Sequence, residues 1–123
     1  MEVARPREFD EHLVVLQVAE LFAKQGFNGT SLDDLVAATG LKRGSIYKAF
    51  GSKLKLFQLA LQQMAERFSA SRRDLDFLTV ALKELATEDK TTAKICRQIA
   101  ENSSTNLPTL LGQNLMTKMK GRR

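Results

Sequence analysis

The sequence predicts an all-α protein, with an N-terminal three-helix unit in helix-turn-helix arrangement joined by a long fourth helix to a short helical C-terminal region. Two observations carry this expectation. Apolar residues recur at three- and four-residue spacing along most of the chain, and no stretch keeps the alternation of a strand. Cap residues and glycines divide the stripes into segments of helical length.

Phe9, Leu13, Leu16, Ala19 and Phe22 form the first stripe, opened by Glu8, Asp10 and Glu11 and stopped at Gly26. Phe27 then leads into Asn28-Gly29, a turn signal. Thr30 and Ser31 are cap candidates for the second helix. Ser31 with Asp34 has the form of a capping box, with Asp in place of the usual Glu. Leu32, Leu35, Val36 and Thr39 supply its buried face, and Gly40 ends it. Ile46, Tyr47 and Phe50 mark the third segment, and Leu54, Phe57, Leu61, Met64, Ala65 and Phe68 a long fourth, so the first half reads as three short helices and a long one.

After a weak break at Ser69 to Ser71, Leu75, Leu78, Leu82 and Leu85 make a further stripe. Ala93, Ile95, Cys96, Ile99 and Ala100 make another, with Asp89 as its cap. Asn102 to Asn106 is a loop by composition, and Pro108 opens a last helix carrying Leu111, Leu115 and Met119. The expected division is residues 1–53 for the helix-turn-helix unit and 54–123 for a dimerisation or regulatory region.

Charge placement is the most informative feature. Helix N-termini carry about half a positive charge, and a well-placed exposed acid there gains about 0.3–1 kcal/mol. The first two helices obey this rule. The next two break it, with Lys42 and Arg43 at the third start and Lys53 and Lys55 at the fourth. Up to Asp34 there are seven acids against three bases, whereas Leu35 to Ala65 holds five bases and no acid. A local basic face on helix starts with free backbone donors suits phosphate, and a nucleic-acid backbone supplies phosphates. Gly44 adds to this, because glycine inside a helix costs about 0.5–1 kcal/mol relative to alanine. Either close approach to a partner or a frayed first turn accounts for it. A short helix, the Gly40 turn and a second short helix form the arrangement in which the second helix enters the major groove of double-stranded DNA.

Composition bounds the remaining possibilities. The 123 residues, 43% of them hydrophobic, can bury one core, or one small domain and a partial one that needs a partner. One cysteine, Cys96, excludes an internal disulfide framework and suits a reducing cytoplasm, where it reads as a small core residue. No apolar run is long enough to cross a bilayer, so a cytoplasmic location without membrane contact is expected. With one histidine, His12, one cysteine and no glycine-rich strand-to-helix turn, no catalytic, cofactor or metal site is expected.

Ala19 to Phe22 (AELF), Gly26, Thr30-Ser31, Leu35-Val36-Ala37, Ala38 to Leu41 (ATGL), Arg43 to Tyr47 (RGSIY), Phe50, Lys53 and Leu56 together resemble the DNA-binding domain of the tetracycline-repressor (TetR) family of bacterial transcriptional regulators. The resemblance covers about the first half of the chain. It implies a cytoplasmic regulator, usually a repressor, that binds a palindromic operator as a homodimer. Carried onto this sequence, it implies that Arg43, Gly44, Ser45 and Lys48 face the groove or its walls, Lys48 being a phosphate contact instead if it lies on the rim. Tyr47 and Thr30 would contact phosphates, Lys53 would ground the fourth helix on the backbone, and Ser31 and Lys42 complete the candidate DNA-binding set. Arg43 is the candidate base reader, since its fork can bond guanine on two atoms. Arg5 and Arg7 would form an arm, and Lys118, Lys120, Arg122 and Arg123 a basic tail.

Two residues depart from the family pattern. Lys42 replaces the small polar residue that usually caps the third helix, and Leu54 replaces the acid that usually follows the fourth-helix lysine. The family also carries well over a hundred residues after its DNA-binding domain, whereas this chain has only about half that. The C-terminal stripes are therefore expected to pack on each other and on a second copy, leaving a small-molecule effector doubtful. The alternative is a shortened interaction module that pairs with another regulator and modulates its DNA binding.

Overall fold

The computed structural model describes residues 9–104 and 106–121. The protein is all-α, and its first four helices pack as α1 (Glu11–Gln25), α2 (Leu32–Thr39), α3 (Arg43–Phe50) and α4 (Lys53–Glu66). α5 (Arg72–Val80) continues into a π-helical turn (Ala81–Leu85), followed by α6 (Lys90–Asn102) and α7 (Leu107–Gly121). α1 packs on α2, α4 and α5, while α4 also meets α6, and α7 lies against α5.

Local chemistry sets most boundaries. The Asp10 carboxylate accepts from Leu13 N–H at 3.3 Å to start α1, and Gly26 stops it with φ +84°. α4 is no longer than α1, because the chain turns at Arg67 and passes Ala70 at φ +60°, a left-handed conformation unfavourable for a residue with a Cβ. The Asp74 carboxylate holds this break by accepting from Ser69 N–H at 2.8 Å, while Ser71 Oγ accepts from Asp74 N–H at 3.2 Å and caps α5. Asp89 caps α6 by accepting from Thr92 N–H at 2.9 Å, and it also receives Gln58 Nε2 of α4 at 2.8 Å. Those bonds, the Thr92 hydroxyl first, hold the Asp89 carboxyl below its usual range.

One core runs through the molecule, from Val14 of α1 to Leu107 of α7. At its centre Phe57 of α4 meets three rings edge-on: Phe22 at 5.0 Å, Phe27 at 5.3 Å and Phe77 at 5.0 Å. These contacts join α1, the α1–α2 turn, α4 and α5, so the position of the first two helices is fixed by packing against the later ones. Cys96 is buried in α6, and burial pushes its thiol up to about 11, leaving it a neutral core group at ordinary pH.

The stripes expected from spacing are corrected at three places. In α1 the buried face is Val14, Val15, Val18 and Phe22, while Leu13 is 51% exposed and Leu16 and Ala19 are half-buried. The segment VVLQVAELFA is apolar around much of its circumference, and neighbours on three sides, not periodicity, select the face. In the second half the π-helical turn widens the helix, so Ala81 turns inward and Leu82 turns out to solvent. In α7 Leu115 and Met119 of the expected stripe face outward, while Leu111 is half-buried against the core beside Leu110, and Leu107 and Asn114 are buried.

Replacing Phe57 by Ala is expected to destabilise the protein by about 3–5 kcal/mol. Replacing Leu13 by Ala is expected to change stability by less than about 0.5 kcal/mol. Urea unfolding of both variants checks the assignment, and a Leu13 effect as large as that of Phe57 would reverse the α1 face.

Candidate nucleic-acid interface

The site is built outward from the α1–α2 turn. Thr30 Oγ1 donates to Gly26 O at 2.6 Å, using one of the carbonyls that α1 leaves without a helical partner. Thr30 is fully buried, so the expectation that its hydroxyl reaches a phosphate is corrected: that hydroxyl is committed inside the fold. Lys53 meets the same turn from α4. Its Nζ donates to Phe27 O and to Thr30 O, each at 2.9 Å, and stands 4.2 Å from the centroid of the Phe27 ring. Lys53 therefore clamps the turn onto α4 with two of its three donors, and a backbone phosphate could take only the third.

α2 starts with a complete capping box. Ser31 Oγ accepts from Asp34 N–H at 3.0 Å, and the Asp34 carboxylate accepts from Ser31 N–H at 2.9 Å and from Gln25 Nε2 at 3.2 Å. The Ser31 backbone bond, then the Ser31 side-chain bond, hold the Asp34 carboxyl below its usual range. The contribution of this box to α2 is thus present above the ordinary carboxylate pKa and lost as pH falls through the lowered value. Ser31 is exposed, with its hydroxyl engaged by Asp34. Gly40, at φ +75°, turns the chain, and Thr39 Oγ1 steadies the turn by accepting from Leu41 N–H at 3.1 Å.

α3 is anchored by Ile46 and Phe50, both buried. Its other side presents Arg43, Gly44, Tyr47 and Lys48 to solvent, a spacing that keeps all four on one face, with Ser45 half-buried at its edge. Lys42 precedes the helix and is exposed, but it makes no side-chain cap. Gly44 occupies open space: a Cβ built there meets no atom within 4 Å. Nothing in the fold calls for glycine at this position, so its cost in helix stability has no internal return. Tyr47 is 50% exposed, which leaves its ring open to a partner. At the α4 start Ser52 Oγ accepts from Lys55 N–H at 3.0 Å, which supplies a cap where no acid stands.

Two contacts have no local signal in the sequence. Arg43 Nη2 is ion-paired and hydrogen-bonded to Asp33 Oδ1, across the α2–α3 turn. Glu84, on the π-helical turn, accepts from Asn28 N–H at 2.8 Å and so buttresses the α1–α2 turn from 56 residues away. Arg5, Arg7, Arg122 and Arg123 lie outside the described residues. Lys118 is not a loose tail residue: it sits in α7, 3.1 Å from Asp76 Oδ2. Among the described residues no group of three or more His, Cys, Asp or Glu side chains is placed to hold a metal ion, and no helix is long and apolar enough to cross a membrane.

A supported helix held at a glycine turn behind a second helix with one free, basic, glycine-bearing face defines a helix-turn-helix module. Comparison with known proteins agrees with this: residues 18–60 match the family model for bacterial regulatory proteins, tetR family. The chain is 38% identical over 69 residues to the uncharacterized HTH-type transcriptional regulator YezE of Bacillus subtilis (strain 168), over 56% of this chain and 36% of the relative. It is 39% identical over 66 residues to the HTH-type transcriptional repressor ComR of Escherichia coli (strain K12), over 54% of this chain and 31% of the relative. The chain thus spans about a third of the length of the curated relatives it matches. No solved structure gives a significant match.

Replacing Gly44 by Ala is expected to raise folding stability by about 0.5–1 kcal/mol, because the methyl meets nothing and the helix gains. Replacing Lys53 by Ala is expected to lower it by about 1–3 kcal/mol, since two turn carbonyls lose a charged donor. Thermal unfolding measures both, and a Lys53 variant as stable as the parent would mean that the clamp carries no weight.

Proposed function

We propose that this chain is a sequence-specific DNA-binding transcriptional regulator, a repressor that acts as a homodimer on a palindromic operator in the cytoplasm. The observation that carries the reading is the free face of α3. It joins Arg43, Tyr47 and Lys48 to a glycine around which the fold leaves open space. Arg43 reads a base edge, Gly44 lets the helix approach the groove wall, Ser45 lines its edge, and Tyr47, Lys48, Lys42 and Ser31 meet phosphates. Lys53 acts chiefly by setting the turn, with one donor left for the backbone. The regulator ComR, named a repressor, supports the direction of regulation.

Dimerisation is required on energetic grounds, because one helix-turn-helix module buries too little surface for tight binding. The face of α7 with Leu115, Met116 and Met119, exposed by 49%, 53% and 59%, supplies the apolar surface for a second copy. The same face favours the second reading, an interaction module seated on another regulator. As for an effector, a hollow of about 920 Å³ between α1, α4 and α5 opens to solvent, which supports a weak response to small molecules.

Selection of bound duplexes from a random pool is expected to return a palindrome whose half-sites lie about 34–36 Å apart, or a multiple of that distance. Binding seen only with another regulator present would favour the interaction module, and no binding in either case would sink both. Within the recovered site, replacing Arg43 by Ala is expected to cost about 1–3 kcal/mol and relax one base position, whereas replacing Lys48 weakens all sequences alike and lowers the salt slope by about one. The Gly44→Ala variant is expected to bind more weakly although it folds more stably. Band-shift titrations at several salt concentrations distinguish these effects.

A further inference from the structure

We propose that Asp33 is a positioning residue of the reading helix: its carboxylate holds the Arg43 guanidinium away from phosphates and so raises the ratio of specific to nonspecific DNA binding. The proposal rests on the DNA-binding reading above and concerns a residue outside the basic set that reading uses.

Three observations lead to it. The pair joins α2 to α3, with Arg43 Nη2 on Asp33 Oδ1, and both side chains stand in solvent, 57% and 80% exposed. An exposed pair of this kind gives the fold only about 0–1 kcal/mol, so stability is a poor reason for an acid here. Nor does the capping box require it, since Asp34 already completes the box with Ser31 and Asp33 adds at the helix start only the dipole gain of about 0.3–1 kcal/mol. The third observation is selectivity within the basic face. Between Leu35 and Ala65 the bases are Lys42, Arg43, Lys48, Lys53 and Lys55, and the acid takes the one arginine.

That choice has a chemical consequence. Lysine is a point charge that any phosphate satisfies, whereas the planar arginine fork matches a guanine edge when its plane is set correctly. A long unpaired arginine next to a polyanion falls onto the nearest phosphate, which every sequence offers. Asp33 repels that phosphate and engages one of the five guanidinium N–H donors, leaving four for a base edge. The carboxylate therefore weakens binding to DNA in general while preparing the side chain for the groove.

The test compares the parent protein, Asp33→Asn, Arg43→Ala and the double variant on the selected duplex and on a scrambled duplex of the same length, at several salt concentrations. Asp33→Asn is expected to bind the scrambled duplex about threefold to tenfold more tightly and to lower the specific-to-nonspecific ratio by a similar factor. Its salt slope on the scrambled duplex is expected to rise by up to about one. With Arg43 already replaced, the same substitution is expected to leave the ratio unchanged. Asp33→Ser must reproduce the effect, and thermal unfolding of each variant excludes loss of fold as the cause. An unaltered ratio in Asp33→Asn overturns the proposal. So does a ratio change of full size in the Arg43→Ala background, since Asp33 would then act on phosphates by charge alone. A parent protein that does not distinguish the two duplexes instead overturns the DNA-binding reading itself.

Discussion

The placement of α3 depends on the turn between α1 and α2, and that turn is held by Lys53. A short connection leaves several backbone groups without helical partners, and each buried one must find a substitute or destabilise the fold. Lys53 Nζ answers the carbonyl of Thr30 and joins the Thr30 N–H on that of Phe27, and Thr30 Oγ1 answers that of Gly26. Glu84, on the π-helical turn, accepts the Asn28 N–H. The Phe27 ring, stacked on Phe22 and edge-on to Phe57, buries the same turn in the central core. The connection thus becomes a rigid joint, and α2, capped at Ser31, leaves it in one direction.

From that joint the exposed face of α3 is built by subtraction. α2 uses Leu35, α3 uses Ile46 and Phe50, and the intervening Gly40 allows the two helices to cross without a longer loop. Every residue of α3 not taken by the core or its edge then faces out, and these are Arg43, Gly44, Tyr47 and Lys48. The electrostatic pattern runs against what an isolated helix prefers, but the penalty is about 0.3–1 kcal/mol per charge, small beside a charge-assisted contact to a phosphate. A protein can carry such a penalty only where the rest of the fold is well satisfied, as the complete capping box on α2 and the Ser52 cap on α4 show.

How much of this could be read from the sequence depended on distance along the chain. The Ser31–Asp34 box, the Gly26 and Gly40 stops and the Asp89 cap involve residues at most a few positions apart, and each formed where spacing placed it. The face of α1 was not legible, because VVLQVAELFA offers apolar side chains in too many directions and only α2, α4 and α5 decide among them. Nor was the π-helical turn, since no residue in Ala81–Leu85 announces a widened turn, and the stripe beyond it falls out of phase. The candidate site divided in the same way. Arg43, Gly44, Tyr47 and Lys48 share a face by helical geometry alone. The inward roles of Thr30 and Lys53 depend on carbonyls that a basic or hydroxyl side chain can satisfy as readily as it can a phosphate, and composition does not separate the two.

The C-terminal helices serve the same joint from the other side. α7 touches the core through Leu107, Leu110 and Leu111, and its middle is fixed by a polar lock in which Asp76 of α5 accepts from Asn114 Nδ2 at 2.7 Å and pairs with Lys118 at 3.1 Å. Asp76 is largely enclosed, with its side chain 17% exposed, so this lock is better shielded from solvent than the Arg73–Glu20 pair on the surface. It sets the rotation of α7 about its own axis, and that rotation puts Leu115, Met116 and Met119 outward. α7 packs on α5, α5 supplies Phe77 to the ring cluster that includes Phe57 and Phe27, and the π-helical turn after α5 supplies Glu84. In the proposed dimer, the direction in which α7 presents its apolar face and the direction in which α3 presents Arg43 are therefore tied through one continuous core. The separation of two reading helices would then be a property of the fold and not of a flexible linker.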